Sequence, residues 1–154
     1  MRAATALFGH SGIEWDITET TAEERGLLRA WASFYKENRS WMHQGAMVRI
    51  DHPDAAAYLY GVVSEDRSRA LFTYAQLTPS SSSHPANLRF SGLDPQRRYR
   101  VAPIFPAGRP RLMGHAAPPW FEGIELNGNV LQQLGITAPI LEPENALLIE
   151  IKAL

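Results

Sequence analysis

Cysteine is absent from the 154 residues, so neither a disulfide nor a thiolate-bound metal can hold this fold together. An excess of positive charge is absent too. The chain carries 15 Lys and Arg against 16 Asp and Glu, for a formal net charge of −1 and a pI near 6.5. Nucleic-acid binding leaves a strongly basic footprint, and none is visible. No stretch reaches the roughly 18 apolar residues that would suggest a membrane span. Met1 to Phe8 also lacks the long apolar core of a signal peptide. These absences point to a cytoplasmic domain without nucleic-acid or membrane partners. A chain of this length, with 45% apolar residues, can bury a sizeable core unaided.

What is present divides near residue 45. Ala4 to Phe8 is a short apolar run ending at Gly9-His10-Ser11-Gly12, and it reads as a buried strand. Thr21 and Glu24 have the spacing of a capping box, in which hydroxyl and carboxylate satisfy free backbone amides. Leu27, Leu28, Trp31, Phe34 and Tyr35 follow at helical spacing and form one wide apolar stripe, with charged residues between them. The helix is expected to end before Gly45.

After Gly45 the pattern becomes that of strands. Met47 to Asp51, Ala57 to Ser64, Ala70 to Leu77, Asn87 to Phe90, Tyr99 to Ile104 and Ala146 to Ile151 are short segments rich in β-branched, aromatic and aliphatic residues. Polar turns separate them, which argues for an antiparallel sandwich. Phe105 to Pro119 holds four prolines and two glycines and reads as irregular. One strand, one loop and one helix ahead of an all-β block resemble a single step of a larger parallel structure. A lone parallel strand has no neighbour to pair with.

The segment Phe8-Gly9-His10-Ser11-Gly12-Ile13-Glu14-Trp15-Asp16 resembles the end of the catalytic barrel in family 36 α-galactosidases, where a Phe-Gly pair precedes a Gly-x-Glu-x-Asp pattern. Tyr35-Lys36-Glu37-Asn38-Arg39 is similar to the family's Tyr-Lys-x-x-Arg stretch, and Val48 to Asp51 to the strand opening its C-terminal domain. Ala70 to Leu77 resembles its central strand. Gly92-Leu93-Asp94-Pro95 with Tyr99-Arg100-Val101 resembles a hairpin of that domain, and Gly135-Ile136 through Glu144 its closing segment.

The resemblance implies a mainly β fold: an antiparallel β-sandwich at 46–154, preceded at 1–45 by a strand-loop-helix remnant of a (β/α)8 barrel. It also implies hydrolysis of α-galactosides such as raffinose or melibiose in an intact enzyme. Retaining hydrolysis needs one carboxylate to attack the sugar and another to protonate the leaving oxygen, about 5–5.5 Å apart. In the family these are aspartates within Lys-Trp-Asp and Ser-Asp motifs, and neither motif occurs in this chain. No catalytic residue is therefore expected, and the chain alone is expected to be inactive. His10 and Glu14 are candidates for the substrate-pocket rim of an intact barrel, since barrel enzymes keep their sites at the C-terminal ends of strands. Asp16 reads as a helix-start residue.

Other candidates have structural readings. His43, His52, His84 and His115 lack metal-ligand spacing, so neither metal nor cofactor is expected. Asp51-His52-Pro53-Asp54 reads as a strand end and turn. Ser80 to Ser83 lacks a nucleophile-elbow setting and reads as a loop. Arg97, Arg98 and Arg100 read as a solvated hairpin edge, and Trp120-Phe121 as a cover for the sandwich edge rather than a sugar platform. Two functions remain open: a support module for a hydrolase barrel, or an independent carbohydrate-binding or protein-interaction module. The stripe of Leu27, Leu28, Trp31, Phe34 and Tyr35 needs an apolar partner and favours the first. It also suggests self-association when no barrel is present.

Overall fold

The computed structural model describes residues 1–154 apart from 10, 13–15, 81 and 114–115. The first element corrects an expectation. Arg2–Ala6 is a short helix, α1, and not a strand. The reason is backbone hydrogen bonding: a single strand with no pairing partner leaves its amides unmet. A helical turn bonds within itself, as the Ala4 amide does to the Met1 carbonyl at 2.9 Å. The apolar side chains still reach a core. Ala4, Leu7 and Phe8 are buried, and the Phe8 ring meets Tyr60 edge-on at 5.5 Å.

Helix α2 spans Ala22–Gln44. Its capping box is complete: Thr21 Oγ1 accepts the Glu24 amide at 3.2 Å, and Glu24 Oε2 accepts the Thr21 amide at 2.8 Å. The helix stops at Gly45, where a Cβ would come within 2.5 Å of Val62 Cγ1. That close approach turns the chain directly into β1.

Six strands form one antiparallel sheet: β1 Ala46–Ile50, β2 Ala57–Val63, β3 Arg69–Gln76, β4 Arg98–Ile104, β5 Ile124–Asn127 and β6 Asn145–Ala153. Their order is β1-β2-β3-β6-β4-β5. The last strand is therefore inserted beside the third, with Phe72 opposite Ile149 and Val101 opposite Ile151. Alternate residues face opposite sides, and both sides are covered at the centre. One face carries Leu59, Phe72, Tyr74, Tyr99, Val101 and Ile149 in the larger core. The other carries Val62, Leu71 and Leu148 beneath α1 and the C-terminal half of α2. This explains why β3 is buried from Ala70 to Gln76.

The layer over the larger core is made mostly of irregular chain. Leu88 and Phe90 enter it, but Asn87 to Phe90 makes only one bridge, Leu88 to Ile136, in place of the strand its composition predicts. A second bridge joins Leu112 to Leu141. The short helix α3, Gly128–Gln133, adds buried Leu131. Neither β5 nor α3 was expected. Ile124-Glu125-Leu126-Asn127 alternates apolar and polar residues, but four residues are the shortest run in which alternation can signal a strand.

The β2–β3 turn is bound to the β4 hairpin. Arg67 takes a positive φ of 55° there. The Tyr99 hydroxyl donates to the Arg67 carbonyl at 2.7 Å and accepts the Asp94 amide at 3.0 Å. Arg97 donates to the Asp66 carbonyl at 2.9 Å. Inside the turn, Asp66 Oδ1 accepts the hydroxyls of Ser64 and Ser68 and the Ser68 amide. These donors, the Ser64 hydroxyl first, hold its carboxyl down at about 2.

Two outcomes follow. A Cβ at Gly61 would run into the Leu71 carbonyl and the Phe72 backbone, so Gly61→Ala should destabilise the chain by roughly 1–3 kcal/mol, as overpacking does. Chemical denaturation checks this, and an unchanged midpoint refutes it. Asp66 has a folded-state pKa below its unfolded one, so its contribution is present above about pH 4 and is lost as pH falls toward 2. Melting curves of Asp66→Asn should lie below those of the parent at pH 6 and converge with them near pH 2.

Candidate functional site

The two rim candidates, His10 and Glu14, lie outside the described residues. Asp16 is a cap, as expected. Its Oδ1 accepts the Thr18 amide at 2.9 Å and the Thr18 hydroxyl at 2.6 Å, opening a 3-10 turn at Ile17–Glu19. Those two bonds, the hydroxyl first, lower its pKa. The carboxylate is thus committed to the chain itself.

The histidines do not converge. His43 lies 3.2 Å from the Tyr35 hydroxyl, and His84 lies 3.0 Å from the Ser83 hydroxyl. His52 Nδ1 accepts the Asp54 amide at 3.1 Å. His115 lies outside the described residues. No group of three or more His, Asp or Glu side chains among the described residues could hold a metal ion.

His52 and Asp54 close the turn between β1 and β2, where Asp54 Oδ1 also accepts the Ala56 amide at 2.8 Å. The Ser80 hydroxyl is the main cause of the lowered Asp54 pKa, followed by the Ala56 amide. Ser80 nevertheless falls short of hydrogen-bonding geometry, since Asp54 Oδ2 and His52 Nε2 are buried and unpaired. A hydrogen bond weakens steeply outside its narrow range of geometry. The neighbouring Tyr74 is pushed up to about 12, first by burial and then by the Asp54 charge. It is therefore neutral at ordinary pH, and its hydroxyl donates to Gln76 Oε1 at 3.3 Å.

The aromatic and basic candidates are also occupied structurally. Trp120 is buried and its indole donates to the Thr137 carbonyl at 2.8 Å. Its ring meets Phe121 edge-on at 4.7 Å, so its face is not open to a sugar. Arg97 donates to the Asp66 carbonyl, Arg98 pairs with Glu125 at 3.3 Å, and Arg100 donates to the Glu122 carbonyl at 3.3 Å. Ser80 and Ser82 bond to each other and to nearby backbone, while Ser81 lies outside the described residues.

One surface depression of about 210 Å³ lies between the end of α2 and the β2–β3 turn, lined by Trp41, Gln44, Glu65, Asp66 and Arg69 among others. Sequence reasoning did not find it, because its residues come from two separate segments. Arg69 lies over the Trp41 ring at 4.8 Å, and Asp66 is engaged by its serines. The depression has neither a free nucleophile nor a paired acid and base.

The comparisons with known proteins are consistent across the chain. The profile of the glycosyl hydrolase family 36 C-terminal domain matches residues 56–149. An α-galactosidase of Escherichia coli is 39% identical over 98% of this chain. The α-galactosidase AgaA of Geobacillus stearothermophilus is 31% identical over 73% of it. Among solved structures, the α-galactosidase of Lactobacillus brevis superposes on 99% of the chain with a TM-score of 0.78 and 26% identity. A variant of AgaA in complex with raffinose does so with a TM-score of 0.78 and 25% identity. The chain covers 22% and 16% of the two curated relatives, and 20% and 19% of the two structures. The chain belongs to glycosyl hydrolase family 36 and corresponds to the C-terminal portion of its α-galactosidases.

Proposed function

We propose that this chain is a support module for a retaining α-galactosidase barrel, catalytically silent by itself. The observation that carries the reading is the coverage: nearly all of this chain aligns with about one fifth of enzymes named α-galactosidases. The hydrolysis of α-galactosides, such as the raffinose bound by the AgaA variant, belongs on this reading to the intact enzyme. Neither Lys-Trp-Asp nor Ser-Asp occurs in the sequence. Without both carboxylates there is no nucleophile for a glycosyl-enzyme intermediate and no acid for the leaving oxygen. Residues 1–45 would be the end of the barrel and 46–154 the β domain beside it. His10 and Glu14 would face the sugar only with the barrel in place. No helix among the described residues is long and apolar enough to cross a membrane, and a chain without cysteine suits the cytoplasm.

The stripe on α2 supports the same reading. Trp31, Phe34 and Tyr35 pack partly against the sheet core, whereas Leu27 is 44% exposed and Leu28 half-buried. The helix from Trp31 onward has therefore found cover, and the stretch before it has not. A partly uncovered apolar face of this kind fits a larger neighbour, or a second copy when that neighbour is missing. The alternative of an independent sugar-binding module draws no support from Trp120, whose ring is packed inside the chain.

The purified chain should release no detectable nitrophenol from a chromogenic α-galactoside. Turnover that survives purification and is lost in Glu14→Ala would overturn the support-module reading. The helix face is checked by light scattering at moderate salt. The parent chain should self-associate through its uncovered end, and Leu27→Glu/Leu28→Glu should be monomeric with little change in melting temperature. A monomeric parent sinks the self-association but leaves the support role standing.

A further inference from the structure

Asn127-Gly128 is the one asparagine–glycine pair in the sequence. The pair has a chemistry of its own. A backbone nitrogen can attack the amide carbon of the asparagine side chain before it, and glycine presents no Cβ to obstruct the approach. The other four asparagines precede Arg39, Leu88, Val130 and Ala146, whose side chains hinder the same attack.

In the fold this pair lies where β5 ends and α3 begins. The Asn127 side chain is exposed and makes no capping hydrogen bond to α3, so its amide carbon is open to attack. The nucleophile is held back. Gly128 is buried and its amide donates to the Arg97 carbonyl at 2.9 Å. It packs so closely against the Asp94 carbonyl that a Cβ would overlap that group. The Asn129 amide, next along, donates to the Pro95 carbonyl at 3.2 Å. The Asn127 backbone is extended, with ψ 149°, which turns the Gly128 nitrogen out of the plane of a succinimide ring. Ring closure needs the reacting atoms close and aligned, and the closed fold keeps them apart.

The element that keeps them apart is a weak one. β5 has four residues, lies at the edge of the sheet and pairs only with β4. Its apolar residues, Ile124 and Leu126, are only partly buried against the core. Elements with few buried contacts open at a lower free energy than core strands. Release of the end of β5 frees the Gly128 amide and lets ψ rotate, while β3 and β6 stay paired.

We propose that Asn127-Gly128 is a modification site, a spontaneous deamidation gated by the opening of β5. In the opened segment the Gly128 nitrogen gives up its proton to solvent and bonds to the Asn127 side-chain carbon. The side-chain nitrogen takes up a proton and leaves as ammonia. Water then opens the succinimide at one carbonyl or the other, leaving aspartate or isoaspartate. The reaction needs only water and is redox-neutral. Isoaspartate lengthens the main chain where Gly128 fits tightly against Asp94, so β5 and α3 no longer close as before. Aspartate keeps the backbone and sets a carboxylate opposite Arg98.

Peptide mapping by mass spectrometry after incubating the full chain at mildly alkaline pH tests this, together with hydrogen exchange. The folded chain should deamidate at Asn127 at least roughly tenfold more slowly than the chain unfolded in urea. Its rate at low urea should follow exchange of the Gly128 amide and not that of the β3 amides. The isoaspartate form, separated by its added charge, should exchange its β5 amides faster than the parent. Asn127→Gln should stay unmodified at that position and exchange like the parent. The proposal is overturned if the folded chain deamidates as fast as the unfolded one, or if Asn127 in the unfolded chain reacts no faster than the other asparagines. A folded-state rate that follows global unfolding would also overturn it, because β5 would then not be the gate.

Discussion

The architecture depends on burying β3 from both sides. Ala70, Phe72 and Tyr74 face the larger core, while Leu71 and Thr73 face the helices. A strand in that position has to be paired along both edges, and β2 and β6 supply those ladders over its length. Burying a large apolar side chain contributes about 1.5–3 kcal/mol, so this strand draws stability from two apolar layers at once. Close packing is the consequence. Gly61 sits against the Leu71 carbonyl and the Phe72 backbone of β3, and there is no room for a methyl group.

The helices depend on that second apolar layer. Without Val62, Leu71 and Leu148 beneath them, Phe8, Tyr35 and Met42 would have no surface to cover. The buried Thr73 hydroxyl reaches back to the Ala4 carbonyl at 3.5 Å, linking α1 to the central strand. A segment that resembles the end of a catalytic barrel is therefore anchored to the β domain by side-chain packing and by one long polar contact. The same face turns charged beyond the helices, where Glu150 and Lys152 follow Leu148 on β6. The same sheet face is thus apolar beneath the helices and charged beyond them.

The carboxylates with lowered pKa are committed to the chain's own backbone and hydroxyl groups. They act as caps and turn closures: Asp16 for a 3-10 turn, Glu24 for α2, Asp54 for the β1–β2 turn and Asp66 for the β2–β3 turn. Carboxylates lowered in pKa by local donors are good structural acceptors and poor general acids.

The features legible in the sequence were those set by neighbours along the chain. Thr21 and Glu24 read as a capping box because the two residues satisfy each other's amides three positions apart. The strands β2, β3, β4 and β6 read from alternation and turn chemistry. Membership of glycosyl hydrolase family 36 was legible through motifs in family order. Tertiary structure decided the rest. Ala4 to Phe8 is apolar in either conformation, and only the lack of a pairing edge makes it helical. The insertion of β6 between β3 and β4 is long-range pairing, which no local pattern encodes. β5 is held by β4 rather than by its own composition. Arg69, Lys152, Arg100 and Glu125 fall in one register row only once β3, β6, β4 and β5 are paired, because strand pairing and not sequence distance brings them together.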